Sequence, residues 1–219
     1  TMRAMGDRAE LPAGLREGYR RFREGRYAVD AERYRRLAEA GQRPHTLVVA
    51  CSDSRSAPEA IFDAGPGELF VVRNVAGLVP VFAPDARAHG VSAALEYGVL
   101  ALDVDSIVVL GHGRCGGIAA ALEPAGPLSS TDFVGTWIAG LRQLADTIAL
   151  PPSAPPEERR LALERRSIEG SIANLRTFPW IRRREEDGSL ALHGAWFDIA
   201  LGELHERGPH GWHRVDSNA

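Results

Sequence analysis

The chain has 219 residues, is 44% hydrophobic and carries a formal net charge of −3, which fits one globular domain with a sizeable core and gives no basic field to attract nucleic acid. All 26 basic residues are arginine, so Schiff-base lysine chemistry and a lysine-bearing phosphate loop are excluded. Two cysteines do not make a disulfide framework, and no apolar run approaches the roughly 20 residues that cross a bilayer.

Along the chain, the polar stretch Thr1 to Leu11 lacks the apolar middle of a signal peptide, and a cytoplasmic protein is expected. Residues 12–41 read as helical, with Leu15, Tyr19 and Phe22 spaced i, i+4, i+7 and Tyr34 and Leu37 continuing the face. Nine arginines between Arg16 and Arg43 alternate with Glu17, Glu24, Glu32 and Glu39. That pattern is a solvated, charge-paired helix face rather than an RNA-binding arm.

Three uninterrupted apolar runs follow: Thr46–Ala50, Leu69–Val72 and Ser106–Leu110. They predict strands buried on both faces, as in a parallel sheet. A helix over 88–102 separates the second from the third, and Leu190–Phe197 predicts a fourth strand. Further helices are expected over 116–123, 132–149 and 156–177, with Pro151, Pro152, Pro155 and Pro156 marking the loop before the last. The fold class is α/β, a mostly parallel sheet flanked by helices. The whole of 1–219 reads as one domain, with a helical arm at 12–41 and a core at 45–215.

Two segments carry chemistry, and each directly follows a strand. They are Cys51-Ser52-Asp53-Ser54-Arg55 and His112-Gly113-Arg114-Cys115-Gly116-Gly117. In open α/β sheets ligands bind beyond the carboxyl ends of strands, so the segments should meet at one edge. Two thiolates and an imidazole suit tetrahedral Zn²⁺, and three protein ligands leave a fourth position open, as catalytic sites do. Inert core cysteines are the bland alternative. A redox pair is weaker, because such pairs usually lie within one Cys-x-x-Cys.

These motifs resemble the β-class carbonic anhydrases. Ala-Cys-Ser-Asp-Ser-Arg (50–55) and Gly-His-x-x-Cys-Gly-Gly (111–117) carry the likeness. Phe70-Val-Val-Arg-Asn74 and Ala94-Leu-Glu-Tyr-Gly98 lie between them in the family's order, and the resemblance runs from about Gly18 to Val215. It implies reversible hydration of carbon dioxide to bicarbonate and a proton through a zinc-bound hydroxide. One zinc per subunit would be held by Cys51, His112 and Cys115. Asp53 and Arg55 would form the catalytic dyad, with Arg55 holding Asp53 off the metal. Gln42, Phe70, Val75, Tyr97 and the Gly116 amide would form the substrate pocket, in the plant-like manner.

The resemblance also implies a homodimer or tetramer in which the N-terminal helical arm packs on a partner subunit. No nucleic acid or membrane partner is expected. Three positions bear on an inhibitory bicarbonate site found in one branch of the family. Val48 and Phe197 replace its tryptophan and tyrosine, and only Arg73 remains, so an open site at neutral pH is expected. Gly77 stands where many members have asparagine, and Ala101 where plant-type members have a proton-shuttle histidine; His89 is the remaining candidate. A carbonyl sulfide or carbon disulfide hydrolase on the same core and a non-catalytic zinc scaffold are the alternatives. The intact Asp53 and Arg55 speak against the scaffold.

Overall fold

The computed structural model describes residues 10–123, 126–151 and 153–215, so Pro152 of the expected loop lies outside the described residues. Two compact units divide the chain, Thr1–Gln42 and Arg43–Ala219.

The first unit is a pair of helices, α1 (Ala13–Glu24) and α2 (Arg26–Ala40). The sequence periodicity predicts one helical stretch; Gly25 interrupts it with φ −103°, ψ −98°. A side chain there would press on the Arg21 carbonyl, 3.0 Å from an ideal Cβ, so the break suits glycine. Phe22, Tyr27 and Tyr34 gather their rings, with centroids 5.1–6.1 Å apart. Arg23 lies over Tyr27 at 4.6 Å. Leu15 and Tyr19 stay exposed, at 63% and 61%.

The second unit is built on a six-stranded sheet. Its strands are β1 (Thr46–Cys51), β2 (Leu69–Asn74), β3 (Ser106–His112), β4 (Ala191–Asp198), β5 (Glu203–Gly208) and β6 (Gly211–Arg214). Their order is β2-β1-β3-β4-β5-β6. The first four are mutually parallel and the last two antiparallel, in agreement with the mostly parallel sheet expected. Among the described residues the helices of this unit are α3 (Pro58–Ile61), α4 (Gly90–Glu96), α5 (Gly116–Leu122), α6 (Phe133–Trp137), α7 (Ala139–Ala145), α8 (Pro156–Leu175) and α9 (Pro179–Glu186). None of the described helices is long and apolar enough to cross a membrane.

Burial explains the strands. Leu47 to Ala50 are each 0% exposed, so β1 is covered on both faces and has no need of alternation. Leu47, Val49, Ile107 and Val109 pack with Leu95, Leu175 and Phe178 on one face. Val48, Ala50, Leu110 and Ala195 form the other.

Two helical expectations change in detail. The helix expected over 88–102 is α4 followed by a wider π turn at Tyr97–Ala101, where Arg184 donates to the Val99 carbonyl at 3.0 Å. The helix expected over 132–149 is α6 and α7, broken at the buried Ile138 (φ −90°, ψ 6°).

Candidate metal centre

Parallel neighbours share the direction of their carboxyl ends. With Ala50 level with Leu110 in the β1–β3 register, Cys51 and His112 leave the sheet at the same edge. α5 then starts at Gly116, with Cys115 as its cap residue. Ligand atoms of Cys51, His112 and Cys115 therefore lie within 4.8 Å of one another, and all three residues are buried.

Both cysteines are free thiols with Sγ atoms 4.0 Å apart. Two sulfurs each about 2.3 Å from one ion at a tetrahedral angle would be about 3.8 Å apart, so the pair needs almost no adjustment to share a metal. The imidazole is more telling. His112 Nδ1 lies 2.9 Å from the Gly113 carbonyl, and a carbonyl only accepts, so Nδ1 carries the proton. Nε2 is left as a lone pair, buried and with no hydrogen-bond partner. A buried nitrogen without a partner is costly unless a ligand meets it. Two thiols and an aimed imidazole lone pair are the donor set of zinc, and these residues fit that ion.

Without metal the two thiols behave oppositely. The Cys115 S–H contact holds the Cys51 thiol low against burial, with His112 helping. The same contact, together with burial, pushes the Cys115 thiol up. Burial opposes a charge on His112, but the nearby Cys51 sulfur and the Gly113 carbonyl prevail and raise its pKa.

Asp53 and Arg55 stand beside this cluster as a closed pair. Arg55 donates from its backbone N–H and from Nε to Asp53 Oδ1, both at 2.9 Å, and from Nη2 to Oδ2 at 2.7 Å. The side-chain bond from Arg55 is the main reason the Asp53 carboxyl is held far below the usual carboxylate range. Nη2 also reaches the Arg114 carbonyl at 3.3 Å, joining the two loops.

Arg73 lends its guanidinium to the backbone. Nε donates to the Cys51 carbonyl at 2.8 Å and Nη2 to the Asp53 carbonyl at 2.6 Å. The Asn74 side chain closes a turn by bonding both N–H and C=O of Leu78, at 2.8 and 2.9 Å. Within that turn Ala76 and Gly77 are left-handed, with φ 66° and 63°. A Cβ on Gly77 would stand 3.0 Å from the Cys51 nitrogen, which explains why glycine can lie against the ligand loop.

The pocket residues divide. Phe70 and Tyr97 bring their rings to 5.9 Å. Val75, which is 42% exposed, has its carbonyl bound by the Trp137 indole N–H at 2.8 Å. Gly116 opens α5, with nothing within 4 Å of an ideal Cβ. Gln42 belongs to the first unit. His89 is bonded to Asp85 at 2.6 Å.

Glu164 escapes a sequence reading. It sits on α8, 3% exposed, and burial raises its carboxyl. Oε1 accepts from the Cys115 backbone N–H at 3.4 Å, and Oε2 accepts from the Trp196 indole N–H at 3.1 Å. The one available signal is its phase: Glu164 falls with Leu163, Ser167, Ile168 and Ser171 on the buried face of α8, where an acid must have partners.

Comparison with known proteins adds an independent line. The family model described as carbonic anhydrase matches residues 46–204. Beta carbonic anhydrase 5, chloroplastic, of Arabidopsis thaliana is 36% identical over 186 residues; the match covers 84% of this chain and 61% of that protein. The structure of the beta-carbonic anhydrase CcaA superposes with a TM-score of 0.84 at 30% identity, covering 94% of this chain and 92% of that one. A structure from the ascomycete Sordaria macrospora, described as one of two tetrameric beta-carbonic anhydrases, gives a TM-score of 0.75 at 30% identity, covering 89% and 95%.

Proposed function

This chain belongs to the β class of the carbonic anhydrase family, and on that premise we propose that it hydrates carbon dioxide reversibly to bicarbonate and a proton, using one zinc ion held by Cys51, His112 and Cys115. The observation that carries the reading is the partnerless Nε2 of His112 beside two free thiols, with the Asp53–Arg55 pair alongside.

Zinc, when bound, supplies a Lewis acid that lets water ionise near neutral pH. The thiolates of Cys51 and Cys115 offset the ion's two positive charges and weaken that acidity relative to three neutral imidazoles, which favours activity at mildly alkaline pH. Asp53 acts by orientation. Its carboxylate stays ionised, so it can accept a hydrogen bond from the attacking oxygen but cannot donate one, and this aims a lone pair at the substrate carbon. Arg55 occupies both carboxylate oxygens and so holds Asp53 in the dyad.

Phe70, Val75 and Tyr97 supply an apolar wall for carbon dioxide, and the Gly116 amide supplies a donor to its oxygens. The Val48 position is core, packed with Ala50, Leu110 and Ala195 with no polar group among them, and Arg73 is engaged by two carbonyls. Both facts support an open, plant-like site without bicarbonate-driven closure. The exposed Leu15 and Tyr19 on α1 support an arm that packs on a partner subunit in a dimer, and the tetrameric Sordaria relative supports a higher assembly.

Stopped-flow hydration of carbon dioxide by the zinc-loaded protein, run beside a carbonyl sulfide assay, tests the reading. Hydration far above the buffer rate with slow carbonyl sulfide turnover is expected. No hydration above buffer by stoichiometrically zinc-loaded protein refutes it.

A further inference from the structure

The metal loop formed by His112 to Cys115 has a support on its buried side that the proposed reaction does not use. Trp196 on β4 is 6% exposed and is level with Gly111 in the β3–β4 register. Its indole N–H donates to Glu164 Oε2 at 3.1 Å, while Glu164 Oε1 takes the Cys115 backbone N–H. The ring also backs the loop directly: an ideal Cβ on Gly113 would meet its Cζ2 at 3.2 Å. Gly113 in turn donates its N–H to the Phe197 carbonyl at 2.9 Å.

A second contact fixes Trp196 itself. The Arg165 guanidinium lies over two indoles, 5.2 Å from the Trp196 centroid and 5.4 Å from that of Trp212 on β6. Arg165 Nε is buried without a hydrogen-bond partner, and the guanidinium carbon lies over both rings. A cation over an indole face draws electron density from the ring and strengthens the N–H at its edge as a donor. The series Trp212, Arg165, Trp196, Glu164, Cys115 thus runs from the last strand of the sheet to a proposed metal ligand through direct contacts.

We propose that Trp196 is a positioning residue for the metal site, holding Glu164 on the Cys115 amide, and that Arg165, clamped by Trp212, holds Trp196. The proposal rests on the zinc reading above. Its consequence is metal retention: groups that orient the ligands of a metal set affinity by about 10- to 100-fold. With Cys115 N–H fixed, the Cys115 sulfur is held where Cys51 and His112 need it. With Glu164 released, the loop keeps its ligands but loses their alignment.

The test is zinc affinity, measured by chelator competition on folded protein, with the sulfur-to-metal absorption of the cobalt form as a second readout. Trp196→Phe keeps a ring for Arg165 and removes the N–H. It is expected to weaken zinc binding about tenfold and to shift the cobalt bands. Glu164→Gln is expected to weaken it similarly, and the double variant no more than the worse single, since both break one connection. Arg165→Met, which keeps bulk and removes charge, is expected to cost about threefold. Unchanged affinity and cobalt spectrum in folded Trp196→Phe overturn the proposal, even if its melting temperature drops. Should that variant not fold, unchanged affinity in Arg165→Met overturns it instead. Failure of the wild type to bind zinc overturns the metal reading, which is a different result from a variant indistinguishable from a zinc-binding wild type.

Discussion

The two loops that carry the proposed metal ligands are held differently. The loop after β1 is held by arginines near the surface: Arg73 on the carbonyls of Cys51 and Asp53, and Arg55 on the Asp53 carboxylate. The loop after β3 is held chiefly from within, by Glu164, Trp196 and the Phe197 carbonyl, with one surface bond from Arg55 Nη2 to the Arg114 carbonyl. The difference teaches a division of labour. The charged, wetter loop carries the group proposed to meet the nucleophile, where exchange with water and substrate is needed. The loop held from within carries two of the three proposed ligands and has only to stay still.

Variants can break that contrast. The largest effect is expected from His112→Ala, which removes the orphaned Nε2. Zinc content should fall from about one per chain to near zero, and hydration to the buffer rate, since two thiols alone cannot fill the site. Metal analysis and stopped-flow assay check it together. Asp53→Asn should spare zinc content and lower hydration by about 10²- to 10³-fold, because a neutral amide can turn its N–H toward the nucleophile. Parallel loss of zinc in that variant would erase the division of labour.

Effects on stability come next. Gly77→Ala places a methyl on a left-handed residue, 3.0 Å from the Cys51 nitrogen and 3.1 Å from the Ala50 carbonyl carbon. Backbone cannot give way as a side-chain tip can, so about 1–3 kcal/mol of destabilisation is expected in chemical denaturation. Arg73→Gln leaves two carbonyls on the wetter loop to water and should cost about 1 kcal/mol, with zinc retained. Gly116→Ala sits in open space and should change stability by less than about 0.5 kcal/mol. Any larger fall in hydration there would sharpen the role of its amide.

How legible this was varies with the residue. Cys51, His112 and Cys115 were readable because chemistry at strand ends shows in residue type, and the parallel runs that bring them together are apolar throughout. The break at Gly25 was not, since an isolated glycine in a helical pattern is often tolerated. The strands β5 and β6 carry no apolar alternation: Glu203–Gly208 is mostly charged or half-buried at the sheet margin, where one covered face suffices. Glu164 and Trp196 were hidden for another reason. A glutamate among the arginines of α8 reads as surface, and only the packing of α8 on β3 and β4 buries it. By resemblance Arg73 is the remnant of an anion site, whereas in the structure its guanidinium binds the backbone carbonyls of Cys51 and Asp53.

The most direct test is a crystal structure of the zinc-loaded protein at pH 7.5, with anomalous data at the zinc edge. The account predicts one ion about 2.3 Å from the sulfurs of Cys51 and Cys115 and about 2.0–2.1 Å from His112 Nε2, with water as the fourth ligand and Asp53 still on Arg55. An Asp53 oxygen bonded to zinc, or an ion outside this triad, would contradict it.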